Sequence, residues 1–200
     1  MHPDNAFRTD DRELMEALVE EIGFGMIFTT TPDGPRVAHT PLLWTGDGAV
    51  QFHLSRGNAL TKHLHGTTIL AVVNGPDAYV SPRWYREAEQ VPTWNYVSLE
   101  MEGRCRRMDS EGLTGFLETL AEREEARLAD GKAWTMAEVP RPKLRGMLAG
   151  IVGFELEVRA WRPTFKLSQN KATDERLRVA EALEGHGAPA LAQLMRKLVS

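Results

Sequence analysis

The sequence predicts an α+β protein, mainly antiparallel β: a small barrel or curled sheet with peripheral helices and a helical C-terminus. Three observations carry this prediction. Apolar and β-branched runs between residues 26 and 108 are separated by short turns rich in Pro, Gly and Asp, which join neighbouring strands as hairpins. Helical stretches are inserted among these runs without regular alternation, which argues against a doubly wound parallel sheet. The length of 200 residues, with 42% hydrophobic and 26% charged, is that of one ordinary globular domain. Neither an internal repeat nor a linker interrupts it. The expected organisation is a single domain over 1–200, with about 171–200 as a C-terminal helical extension.

The elements follow in order. Asp10 with Glu13 three residues later reads as a capping-box-like helix start. Leu14, Leu18 and Ile22 then recur at helical spacing, Met15 and Val19 widen the stripe, and Gly23 ends it. Met26–Thr31 reads as a strand, with Pro32-Asp33-Gly34-Pro35 as the turn that follows. Arg36–Trp44 and Ala49–Ser55 make two more strands, joined by Thr45-Gly46-Asp47-Gly48. The pattern then gives a short helix over Asn58–His65, a strand over Thr67–Asn74, an irregular aromatic segment over 75–96 and a strand over Val97–Met108. Asp109 or Ser110 caps a helix whose stripe is Leu113, Phe116, Leu117, Leu120 and Leu128. Residues 129–143 read as a surface connection and Lys143–Leu148 as a helical turn. Ala149–Trp161 reads as a strand, and Thr173–Leu183 and Pro189–Val199 as closing helices.

Charge and cysteine content narrow the classes. The formal net charge is −4, from 24 Lys and Arg against 28 Asp and Glu, which disfavours general phosphate-backbone binding but leaves room for one local anion pocket. The single cysteine, Cys105, allows no internal disulfide and suits a reducing compartment. No signal-peptide pattern and no apolar run of about 20 residues is present, so the expectation is a cytoplasmic protein without a membrane partner. The histidines lack metal-ligand spacing, and no metal is expected, although His39 and His53 on neighbouring strands would be able to face each other. No G-x-S-x-G, G-x-G-x-x-G or Walker lysine is present, which lowers the prospects of a serine hydrolase, a Rossmann dehydrogenase or a P-loop enzyme.

Three segments hold chemistry. Ser55-Arg56-Gly57-Asn58, with Lys62 one turn on, is either a polar helix cap or an anion site at a helix N-terminus. The stretch from Tyr79 to Tyr96 holds all three tyrosines with Trp84 and Trp94, and suits a planar ligand, an oligomer interface or a loop that covers the core. Lys166-Leu167-Ser168-Gln169-Asn170-Lys171 is either an exposed loop or a donor set for an anion and the hydrogen-bonding edge of a ring.

Four segments in register are more specific than any of these alone. Gly75-Pro76-Asp77-Ala78-Tyr79-Val80-Ser81-Pro82-Arg83-Trp84-Tyr85, Val91-Pro92-Thr93-Trp94-Asn95-Tyr96, Gly150-Ile151-Val152-Gly153-Phe154-Glu155 and Phe165–Asn170 closely resemble the PaiB-type family of FMN-binding negative transcriptional regulators, as does His39-Thr40-Pro41-Leu42-Leu43. The resemblance runs from Phe7 through the last helix. It implies a split β-barrel of the FMN-binding type, related to pyridoxamine-phosphate oxidases and small flavin reductases. It also implies FMN as cofactor and a homodimer with the flavin sites at the subunit interface. On that resemblance His39, Thr40, Pro41 and Leu42 would line the isoalloxazine. Ser55, Arg56 and Asn58, with Lys62 nearby, would hold the phosphate. Trp94, Asn95 and Tyr96 would complete the wall, and Lys166, Ser168, Gln169 and Asn170 would come from the partner subunit. Ser55 and Gly57 stand where the family more often has alanines, which keeps an anion site and adds a hydroxyl donor.

The function so implied is a flavin-dependent oxidoreductase or a redox-responsive negative regulator of transcription. The alternatives are a haem-binding split barrel, with His39, His53, His63 or His65 as axial ligand, and a regulator acting on DNA without redox chemistry. DNA is the weaker partner, because cations and carboxylates are mixed in the helices after Thr173.

Overall fold

A computed structural model describes residues 4–87, 89–128 and 131–197. Among them a seven-stranded sheet runs in the order β2-β1-β5-β6-β7-β4-β3. The strands are β1 (Phe24–Thr31), β2 (Gly34–Pro41), β3 (Leu43–Trp44), β4 (Ala49–Ser55), β5 (Thr68–Val80), β6 (Thr93–Arg107) and β7 (Ile151–Lys166). The helices are α1 (Arg12–Ile22), α2 (Ser110–Glu125), α3 (Arg141–Ala149), α4 (Thr173–Gly185) and α5 (Pro189–Lys197). The resolved pairings β1–β2, β1–β5, β3–β4 and β4–β7 are all antiparallel. The chain divides into two compact units. One comprises the chain up to Leu18, Val73–Glu100 and the chain from Arg162 on; the other comprises Val19–Val72 and Met101–Trp161.

The second unit is organised by hairpins. Thr31 Oγ1 donates to Gly34 O (2.8 Å) and closes the β1–β2 turn. Leu42 interrupts the predicted 36–44 strand, because its N–H donates to Gly23 O (2.9 Å) instead of joining the ladder. Alternate residues of β4 point inward, and Phe52 stacks on Phe154 of β7 with ring centroids 5.5 Å apart. Gly103 admits no side chain: a Cβ there would lie 1.8 Å from Glu157 O, so two backbones meet where only glycine fits. Cys105 is buried in this unit, and burial pushes its thiol up to about 12. The α2 stripe of Leu113, Phe116 and Leu120 packs on Leu43, and Asp109 caps the helix by accepting from Gly112 N (2.8 Å).

The first unit buries Val97, Phe165 and Leu167 against Val179, Leu183 and Leu191 of α4 and α5. Helix α1 is capped by Asp11, whose Oδ1 accepts from Leu14 N (3.0 Å), one residue later than the predicted Asp10. The segment expected to be irregular is largely strand, since β5 continues to Val80 and β6 begins at Thr93, with a short 3₁₀ turn at Pro82–Trp84. Likewise β7 runs on to Lys166 rather than stopping at Trp161. Alternating burial along these long strands explains why no single apolar run announced them.

Two further expectations are corrected. Residues 58–65 form successive turns, not a helix, so no helix N-terminus stands behind Ser55–Asn58. Leu128 lies beyond the end of α2 and is exposed, outside the helix stripe. The predicted surface connection includes residues 129 and 130, and the predicted last helix includes 198 and 199; these positions lie outside the described residues.

Candidate functional site

In the second unit the chain leaves β4 at Ser55 and folds at once into turns. Ser55 O accepts from Asn58 N (2.9 Å) and from Thr61 Oγ1 (2.8 Å), while Asn58 Oδ1 accepts from Leu60 N (2.9 Å). Leu60 and Leu64 are buried and pin these turns to the core. Arg56 is anchored at both ends. Its N–H donates to Gly150 O (2.8 Å), and its guanidinium donates from Nε to Ala149 O (2.8 Å) and from Nη2 to Ile151 O (3.4 Å). Two of five guanidinium N–H groups are thereby engaged, and three remain for a ligand. A cavity of about 370 Å³ opens here, lined by Arg56, Asn58, Thr61, Lys62 and Arg107 among others.

Among the described residues this lining holds three cations and no carboxylate, in a chain whose formal net charge is −4. Such a donor set fits a phosphate, because Arg and Lys are its usual partners and no anion competes. Sequence reasoning missed Arg107. Its signal was the basic run Arg104-Cys105-Arg106-Arg107, in which Arg106 turns to Glu157 (2.8 Å) while Arg107 ends β6 beside the cavity. The backbone places it there, with Arg107 N donating to His65 Nδ1 (3.1 Å).

His39, Thr40, Pro41 and Leu42 belong to the same unit and divide by strand alternation. Thr40 and Leu42 are buried. Thr40 Oγ1 donates to His53 O (2.6 Å), and Leu42 O accepts from Arg123 Nη2 (3.0 Å). His39 is exposed and Pro41 half-buried. His53 is half-buried and its ring is tilted over Phe116 with centroids 5.8 Å apart. Burial holds the His53 imidazole below the usual histidine range.

The first unit gathers the remaining seven residues into two places. Asn95 is wholly buried. Its Nδ2 donates to Ser168 Oγ (2.9 Å), and its Oδ1 has no partner. Lys166 Nζ donates to Thr93 Oγ1 and to Trp94 O (2.7 Å), and burial lowers its pKa. Ser168 holds a φ of +62°, and Gln169 braces the loop by accepting from Leu167 N (2.7 Å) and donating to Phe165 O. Lys171 donates to Gln90 Oε1 (2.8 Å) and stands 5.7 Å over the Tyr85 ring. Asn95, Lys166, Ser168 and Asn170 share a cavity of about 150 Å³. Trp94 and Tyr96 lie on the opposite face of β6, at a separate cavity of about 270 Å³ beside Gly75 and Asp77. The three consecutive wall residues thus split by strand alternation, with Asn95 inside and the two aromatics outside.

Comparison with known proteins gives consistent relationships. The family described as “Putative FMN-binding domain” matches residues 1–160. The protease synthase and sporulation protein PAI 2 of Bacillus subtilis is 30% identical over 193 residues, 94% of this chain and 91% of that one. Among solved structures, the FAD- and haem-binding protein of Mycobacterium smegmatis superposes with a TM-score of 0.61 at 20% identity, covering 84% of this chain and 78% of its own. The flavocytochrome Anf3 of Azotobacter vinelandii gives 0.56 at 20% identity, with 78% and 68% covered. These likenesses establish the split-barrel fold.

Proposed function

Because the chain belongs to the FMN-binding-domain family, with FMN as its cofactor, we propose that it is a flavin-dependent oxidoreductase or redox-responsive regulator that holds the FMN phosphate between Arg56, Lys62 and Arg107. One observation carries this reading: the three-cation, carboxylate-free cavity after β4. The bound flavin supplies hydride and one-electron chemistry. The protein supplies position and charge. Arg56 donates to the phosphate from the guanidinium edge left open by Ala149 and Ile151, and Lys62 and Arg107 balance its charge. Asn95, Lys166, Ser168, Gln169 and Asn170 form the second element of the reading. They order the loop after β7, which in a homodimer would serve the flavin of the partner subunit. No described helix is long and apolar enough to cross a membrane, and a cytoplasmic setting fits the single sealed thiol.

For a regulator, the redox state of the flavin is the better-supported signal than a cationic DNA face. Arg196 of α5 is paired with Glu184 of α4 (2.5 Å), which removes one of the cations such a face would need. Haem is the alternative ligand. No histidine lines the three-cation cavity, so its donor set speaks for phosphate. The test is the visible spectrum of purified protein mixed with FMN and desalted. A retained flavin spectrum with about one FMN per chain supports the reading. Loss of all flavin, or a Soret band on haem titration with no flavin uptake, rejects it.

A further inference from the structure

An apolar cavity in the second unit is lined by none of the residues assigned to the flavin. It measures about 410 Å³ and lies between α2, α3 and residues 134–139, with Leu120, Met136, Leu144 and Leu148 on its walls. An apolar cavity of roughly 150 Å³ takes a benzene ring, so this one has room for two or three rings.

Its polar groups define what enters. Glu124 is on the wall, but its Oε1 accepts from Arg123 Nε (2.9 Å) and Nη2 (2.7 Å), and its Oε2 accepts from Arg127 Nη1 (3.3 Å). The Glu124 carboxylate is thus already engaged by two cations and is not free to serve as a counter-charge. His53, tilted over Phe116 at 5.8 Å, also lines the cavity beside the Trp134 indole, and its Nδ1 is buried without a hydrogen-bond partner. A buried nitrogen left without a partner is a group that a ligand's hydrogen-bonding atom would satisfy. A charged occupant would lose its hydration with no counter-charge to replace it.

We propose that this cavity is a second ligand site, taking a neutral aromatic molecule of two or three rings with one hydrogen-bonding group. It is separate from the flavin phosphate cavity, and the two are joined through one residue. Arg56, which lines that cavity, donates to the carbonyls of Ala149 and Ile151, and Leu148 and Ile151 beside them form part of the aromatic site's wall.

Equilibrium dialysis with N-phenyl-1-naphthylamine tests the assignment on the full chain, with and without saturating FMN. The expected result is saturable uptake of one probe per chain in both states, with the anionic naphthalene-1-sulfonate bound at least tenfold more weakly. Ala121→Trp fills the space from α2 and should weaken the probe at least tenfold. Met147→Asp places a charge at an exposed position on the rim, where folding is least affected, and should weaken it at least fivefold while leaving FMN uptake unchanged. Non-saturable uptake, unchanged probe affinity in Met147→Asp, or displacement of the probe by FMN would each overturn the proposal. Displacement would identify the cavity as the flavin's own ring pocket. Binding to the FMN-free chain is scored independently, so failure of flavin uptake and failure of this site remain distinguishable.

Discussion

The turn after β4 and the loop after β7 are built from the same vocabulary of serine, asparagine and basic side chains, yet they are used differently. After β4, the asparagine and serine hold the turns, and Arg56, Lys62 and Arg107 stand around an open cavity. After β7, the donors turn inward: Lys166 onto Thr93 and Trp94, Gln169 onto its own loop, Asn95 onto Ser168. The first arrangement is free to meet an anion. The second fixes a backbone shape, including the left-handed Ser168 that loop requires. Residue type alone does not separate a binding site from a structural clasp; the partners of each polar atom do.

The sharpest way to break this contrast is Asn95→Asp. It places a carboxylate in a wholly buried position, where Lys166 in the same cavity is already engaged by Thr93 and Trp94, and should destabilise the fold by about 3 kcal/mol in urea titration. The loss should shrink as the pH falls toward the ordinary carboxylate value of about 4, because the unfolded chain then gives up its advantage in holding the charge. A stability change under 1 kcal/mol would mean that the clasp after β7 is loose enough to admit water.

Next in size, Arg56→Ala removes a charge-assisted phosphate contact worth about 1.5–3 kcal/mol, so FMN should bind roughly 10- to 150-fold more weakly by fluorescence quenching. Riboflavin, which lacks the phosphate, should bind the unaltered protein with a similar deficit. Equal affinity for FMN and riboflavin would place the phosphate away from the three cations.

A smaller effect is expected of Arg107→Ala, whose side chain is exposed. About 0.2–1 kcal/mol of FMN affinity should be lost, with a flatter dependence on salt. Smallest is the alkaline behaviour of Lys166. Its folded-state pKa lies below the usual lysine value, so the charged form costs stability at neutral pH. That cost should be relieved as the pH rises through the folded-state value toward the unfolded one. Lys166→Met should remove this upward drift in a pH series of thermal midpoints.

Much of the fold was legible in the sequence because hairpin turns and helix stripes are local. Thr31–Pro35 and the Leu113, Phe116 and Leu120 stripe declare themselves within a few residues. The extensions of β5, β6 and β7 were not legible, since their ends are half-exposed and polar and are ordered by neighbouring strands. The turns at 58–65 imitate a helix because Leu60 and Leu64 fall at helical spacing, although their side chains only anchor successive turns. Arg107 was overlooked because it adjoins the Ser55–Lys62 turn only through folding. The aromatic cavity is built from residues that read as ordinary helix stripe, and only the packing of α2 and α3 leaves a space between them.

The burial of Cys105 has a practical corollary for chemists. Burial raises its thiol pKa to about 12 and shields it, so the folded chain is expected to react slowly with maleimides and mild oxidants. A cysteine introduced at any surface position becomes a unique address, and distances or environments can be reported from it without first deleting a native thiol.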